Sequence, residues 1–101
     1  MATRSEVQIG PSGGEPMNPA ECRLFLRLIG YRNYQDYLYS PLWFEIRTKV
    51  MKKAGKRCEY CGCRAVQVHH EIYTRENLYG VTLFGLYAVC VHCHELRHGL
   101  T

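Results

Sequence analysis

Apolar positions begin to recur with helical spacing only after residue 17. Before that the chain has three glycines, two prolines and few large apolar residues, which predicts a disordered leader over 1–17. Asn18-Pro19-Ala20-Glu21 reads as a helix start: Asn as N-cap, Pro at the first helical position, and Glu reaching back from the third. Leu24, Phe25, Leu28 and Ile29 supply the apolar face, and Gly30 is the stop. A tyrosine-rich connector follows, Tyr31 to Tyr39. Its rings suit either base stacking or, with the simpler physics, core packing with hydroxyls at the surface.

Ser40-Pro41 opens a second helix, with Ser40 as N-cap and Glu45 near the N-terminal end, where the helix dipole favours an acid. Leu42, Ile46, Val50 and Ala54 form its buried stripe, flanked by Trp43 and Met51, and Gly55 ends it. From Ala65 the pattern alternates. Val66, Val68, His70 and Ile72 share one face of a strand, and Gln67, His69, Glu71 and Tyr73 the other. A loop over Thr74 to about Gly80 leads to a second strand through about Val81–Val89. Gly85 inside it predicts a bulge or the close approach of another backbone. A short helix from Val91 to about Gly99 completes the pattern.

At 101 residues, 47% hydrophobic and 22% charged, this is one small globular domain. A core that small barely offsets chain entropy, so a metal or disulfide staple is expected. The longest run free of Asp, Glu, Lys, Arg and His, Asn77 to Val91, falls short of the roughly 20 residues that cross a bilayer. The first residues have no apolar secretion segment, and a reducing, cytoplasmic setting is expected. The net charge of +4 matters less than its distribution. Seven of the 13 Lys and Arg (Arg47, Lys49, Lys52, Lys53, Lys56, Arg57 and Arg64) fall in one window in which Glu59 is the sole acid. Such a window either attracts nucleic-acid phosphate or is a solvated face that keeps the protein soluble.

Six cysteines and five histidines carry the chemistry. Cys58-Glu59-Tyr60-Cys61 and Cys90-Val91-His92-Cys93 are two CxxC pairs, and four thiolates satisfy tetrahedral zinc. A redox CxxC accounts for one pair but not two, and a disulfide framework needs an oxidising compartment. With no coordination position left for water, the zinc is structural. Gly62 suits the positive φ of the knuckle turn, Cys22 is a small core residue, and Cys63 is left without a role. His94 and His98 stand one turn apart on the last helix, His69 and His70 come from the strand, and the four together suggest a second site. His92 is expected to be exposed. Neutral imidazole binds divalent ions and also serves as a general base near neutral pH. One metal plus one base is the minimum apparatus for hydrolysing a phosphodiester, and a basic helix beside it points to a nucleic-acid backbone.

Tyr37-Leu38-Tyr39-Ser40-Pro41-Leu42-Trp43, Arg47, Cys58-Glu59-Tyr60-Cys61-Gly62, Val68-His69-His70 with Tyr73, and Cys90-Val91-His92-Cys93-His94 with His98 resemble, in order, the HNH endonucleases, in their zinc-stapled form from bacterial and phage genomes. The resemblance covers about residues 37–99. It implies an α+β fold: a small zinc-stabilised ββα-metal domain of treble-clef type over 37–101, preceded by one or two helices, with a helix and connector over 18–36. His70 then matches the general base, and His69, His94 and His98 the ligands of a catalytic divalent metal. Because alternation puts His69 and His70 on opposite faces, the strand has to end or twist there. The family's middle Asn or Asp, which orients the base, is replaced by Gly85, leaving Asn77, Glu76 or a backbone carbonyl for that task.

Two functions follow from these residues. One is a metal-dependent endonuclease acting on nucleic acid, most simply double-stranded DNA, with structural zinc and catalytic magnesium or manganese, nickel and zinc being alternatives for an imidazole site. The other is a non-catalytic four-cysteine zinc module that binds nucleic acid through the Arg47–Arg64 window, its nuclease site decayed at Gly85.

Overall fold

The computed structural model describes residues 14–97, so most of the expected leader lies outside the described residues. Its last residues are packed. Pro16 forms a β-bridge with Thr74, the Met17 amide donates to the Tyr73 carbonyl at 2.7 Å, and the Met17 side chain is buried in the core.

Helix α1, Pro19–Leu28, starts as its sequence dictates: the Asn18 side chain accepts from the Glu21 amide, and the Glu21 carboxylate accepts from the Asn18 amide. The face it buries differs from the expected one. Leu24 and Leu28 are 69% and 82% exposed, whereas Leu26 is buried and Cys22, Phe25 and Ile29 pack against the core. Positions 22, 25, 26 and 29 form one stripe, and Leu24 and Leu28 lie off it by about 100° per residue. The tyrosine-rich segment is not merely a connector. Asn33 caps a short helix α2, Tyr34–Leu38, in which Tyr37 is fully buried and donates its hydroxyl to the Leu78 carbonyl at 2.7 Å.

Helix α3, Pro41–Lys53, is capped by Ser40 and buries Trp43, Ile46 and Val50, with Leu42, Met51 and Ala54 packed beside them. It lies against a two-stranded antiparallel hairpin, β1 (Gln67–His70) and β2 (Leu86–Val89), registered Gln67 to Val89 and His70 to Leu86. Both strands are shorter than their apolar patterns suggest. β1 ends at His70. The expected loop after it contains helix α4, Arg75–Tyr79, where Thr74 and Asn77 exchange side-chain bonds with each other's amides and Gly80 closes the helix at φ 89°. Helix α5, Val91–Arg97, follows β2 directly and packs on β1. Met17, Leu26, Tyr37, Trp43, Ile46 and Leu78 share one core, so the N-terminal helices and the hairpin are packed together. No helix among the described residues is long and apolar enough to cross a membrane.

Gly85 delays the start of β2. Its φ is +86°, and a Cβ there would stand 2.6 Å from Ile72 Cγ1 and 3.2 Å from Asn77 Nδ2. Both the Ile72 side chain and another backbone approach closely, the Glu71 amide donating to the Gly85 carbonyl at 2.8 Å. Gly85→Ala combines left-handed strain with overpacking and is expected to destabilise the fold by about 2–4 kcal/mol. A urea titration beside Gly85→Ala/Ile72→Ala measures this. The second substitution should recover the packing part of the loss and leave the backbone part.

Candidate active site and metal centre

Two CxxC turns meet at one end of the hairpin. The Sγ atoms of Cys58, Cys61, Cys90 and Cys93 all lie within 4.8 Å of one another, with Cys61 and Cys90 3.6 Å apart. A tetrahedral zinc with bonds of about 2.3 Å needs sulfurs roughly 3.8 Å apart, so the donor set fits that ion. Each turn also points an amide at a sulfur: Tyr60 N to Cys58 Sγ and Cys93 N to Cys90 Sγ, both 3.4 Å. Burial would raise the Cys58 pKa, but backbone hydrogen bonds at Cys90, Cys61 and Tyr60 outweigh it and hold this thiol well below its usual range. Cys93 is pushed up, by desolvation and by hydrogen bonds to the other three thiols. Gly62 has the positive φ expected of the turn, at 84°. Cys63 is exposed and outside the cluster, and Cys22 packs partly buried on α1.

The histidines gather beside this centre. β1 turns His69 toward α5, where its ring centroid is 5.5 Å from that of His94. Glu71 adds an oxygen, with Oε1 3.2 Å from His69 Nε2. The same oxygen accepts from the Tyr60 hydroxyl at 3.4 Å, and the four cysteines are the one group of three or more possible ligands gathered within reach of a single ion among the described residues. His98, the other expected ligand, lies outside the described residues. His92 is exposed, as expected.

His70 faces the opposite side of the strand, into the aromatic layer. It is 7% exposed and stacks on Tyr73 (4.5 Å, 11°) and Trp43 (5.0 Å, 23°). Its Nδ1 is 3.1 Å from the Tyr34 hydroxyl, and its buried Nε2 has no hydrogen-bond partner. Burial, and secondarily the charge of His69, push its pKa down to about 3, so the ring is neutral. His69, His70 and His94 nevertheless line one cleft of about 320 Å³, together with Tyr34, Trp43 and Arg47.

Asn77 does not reach His70. Its Oδ1 accepts from Thr74 N, and its Nδ2 donates to the carbonyls of Ile72 and Phe84, so this fully buried amide is committed to holding the loop. The Glu76 carboxylate lies against Gly14. The sequence reading missed Tyr34, whose only signal was membership of a tyrosine-rich stretch, and Glu71, which stands next to the histidine pair.

The basic window divides. Arg47 donates to the Val66 carbonyl at 2.9 Å and borders the histidine cleft. With Lys52, Lys56 and Arg64 it also lines an adjoining groove of about 720 Å³ that contains the exposed Phe44. Arg57 donates to the Gly62 carbonyl, Lys49 pairs with Glu45 at 3.7 Å, and Lys53 is exposed on α3.

No protein-family model matches the chain, and no curated protein matches it. Among solved structures it is similar to the crystal structure of the HNH endonuclease of the deep-sea thermophilic bacteriophage GVE2 with a manganese ion. The likeness covers 82% of this chain and 92% of that one, at a TM-score of 0.59 and 18% identity. The chain has the fold of an HNH endonuclease.

Proposed function

We propose that the protein is a metal-dependent endonuclease that hydrolyses phosphodiester bonds of DNA. The observation that carries this reading is the cleft itself. It contains a facing imidazole pair, His69 and His94, and a third histidine with an uncommitted ring nitrogen. A buried polar atom without a partner costs about 1–3 kcal/mol, which a working role would explain. The fold shared with a manganese-containing phage HNH endonuclease supports the same reading.

Zinc at the four cysteines would hold the hairpin to α5. His69 and His94, with His98, would hold a divalent cation, magnesium or manganese in the cell and nickel or zinc in its place. When bound, that ion supplies positive charge beside the scissile phosphate and the departing oxygen. Nε2 of His70 accepts a proton from water, whose oxygen attacks phosphorus. The bond to the 3′ oxygen breaks, and that oxygen takes up a proton from solvent, giving a 5′-phosphate and a 3′-hydroxyl. Arg47 and the groove through Lys52, Lys56 and Arg64 provide sequence-independent attraction for the backbone.

A supercoiled-plasmid assay across magnesium, manganese, nickel and zinc, run beside His94→Ala, tests this. Ion-dependent nicking that His94→Ala loses is the expected result. Folded, zinc-loaded protein that binds plasmid and cuts it with none of the ions would instead be the non-catalytic zinc module.

A further inference from the structure

We infer that Tyr34 is the positioning residue for His70: its hydroxyl oxygen accepts the Nδ1 hydrogen, fixing the ring and leaving the lone pair on Nε2. This rests on the endonuclease reading above.

The sequence leaves this task vacant. The position where a family member would carry an orienting side chain is Gly85, and Ile72 already fills the space a side chain there would enter, with 2.6 Å between its Cγ1 and any Cβ. Asn77 is committed to Thr74, Ile72 and Phe84, and Glu76 lies against Gly14. The hydroxyl that does stand at Nδ1, at 3.1 Å, belongs to Tyr34. It comes from α2, outside the stretch that resembles the nucleases.

Direction decides whether this contact helps. A neutral imidazole has one N–H and one lone pair, and a partner on one nitrogen selects the role of the other. If Tyr34 donated to Nδ1, the proton would sit on Nε2, which could then accept nothing. If Tyr34 accepts from Nδ1–H, Nε2 is the base. We assign the second direction; burial, and after it the neighbouring Tyr73, hold the Tyr34 phenol well above its ordinary pKa, so it stays protonated. The Tyr34 and Tyr73 rings meet edge to face at 5.9 Å, and Tyr73 in turn stacks on His70. Thus Tyr73, Tyr34 and His70 form a closed set in which each ring restrains the next.

The test has two parts. The first is a long-range proton–nitrogen correlation spectrum of imidazole-labelled, zinc-loaded protein without added divalent ion. His70 is expected as the Nδ1–H tautomer in wild type, and as a mixture or the Nε2–H form in Tyr34→Phe. The second is steady-state cleavage. Tyr34→Phe should lower kcat by about 10- to 100-fold with KM unchanged, because the full contribution of a base, roughly 10²–10⁴, is weakened and not removed. A Tyr34→Phe protein that cleaves as fast as wild type overturns the assignment while leaving the endonuclease reading intact; an Nε2–H wild-type ring overturns the assignment and the base role of Nε2 with it, and ion-dependent nicking lost in His94→Ala then stands alone. Wild-type protein that fails to cleave with any of the ions overturns that reading, and the catalytic meaning of Tyr34 with it. Should Tyr34→Phe fail to fold, the wild-type tautomer decides alone.

Discussion

Stripping zinc from this protein is expected to unfold it. The cysteine cluster is one of only two cores among the described residues, and apart from Val89 its buried members, Cys58 and Cys90, belong to the four sulfurs that could hold an ion. Without an ion, four sulfurs within 4.8 Å would have to remain together as thiols or repel as thiolates. Apparent zinc-binding energies at such sites reach about 10–16 kcal/mol, as large as the whole stability of a domain, about 5–15 kcal/mol. A high-affinity chelator should therefore release one zinc per chain and abolish the helical circular-dichroism signal together. Cys90→Ser should reproduce this without chelator. Cys63→Ser and Cys22→Ser, outside the cluster, should retain the metal. A chain that melts cooperatively with its zinc gone would show that the apolar core suffices.

His70→Gln is expected to reduce cleavage by about 10²–10⁴-fold, the range a positioned general base contributes, while DNA affinity stays within about twofold of wild type. Gln is preferred to Ala because His70 is buried against Trp43 and Tyr73, and a truncated side chain would leave a cavity whose cost confuses the result. Binding should survive because the groups proposed to attract phosphate line the adjoining groove: Arg47 and Lys52 on α3, Lys56 in the turn after it, and Arg64 beyond the first CxxC pair. Fluorescence anisotropy for binding and a nicking time course for turnover, at one salt concentration, separate the two effects. If affinity fell as far as turnover, His70 would be holding the fold or the DNA and not a proton.

What was legible in the sequence was local. The Asn18 and Ser40 caps, the helix from Ser40, the paired CxxC motifs and the positive φ at Gly62 each depend on residues within a few positions, and each is found. The α+β hairpin fold was legible too, because its cysteine and histidine motifs occur in a recognisable order. Less local features were not. The face of α1 was misread because leucines at 24 and 28 mimic a stripe, and only the packing partners choose between them and Cys22–Phe25–Leu26–Ile29. Helix α4 was missed because Asn77 takes the capping-box position that Glu or Gln usually marks. The strand expected from Val81 failed at Gly85, whose backbone is left-handed. Tyr34 was out of reach because its contact spans 36 positions and leaves no periodic trace.

The long separations that made Tyr34 hard to read also govern how the chain is made. Synthesis runs from the N-terminus at about 5–20 residues per second, and Cys61 and Cys90 are 29 positions apart. Cys58 and Cys61 thus leave the ribosome roughly 1.5–6 s before their second pair exists. Met17 waits longer still for Tyr73. Over that interval the nascent chain carries the first pair of thiols without the second, and the helix face that packs on the hairpin stays uncovered, so closure of the four-sulfur site comes late in the making of this domain.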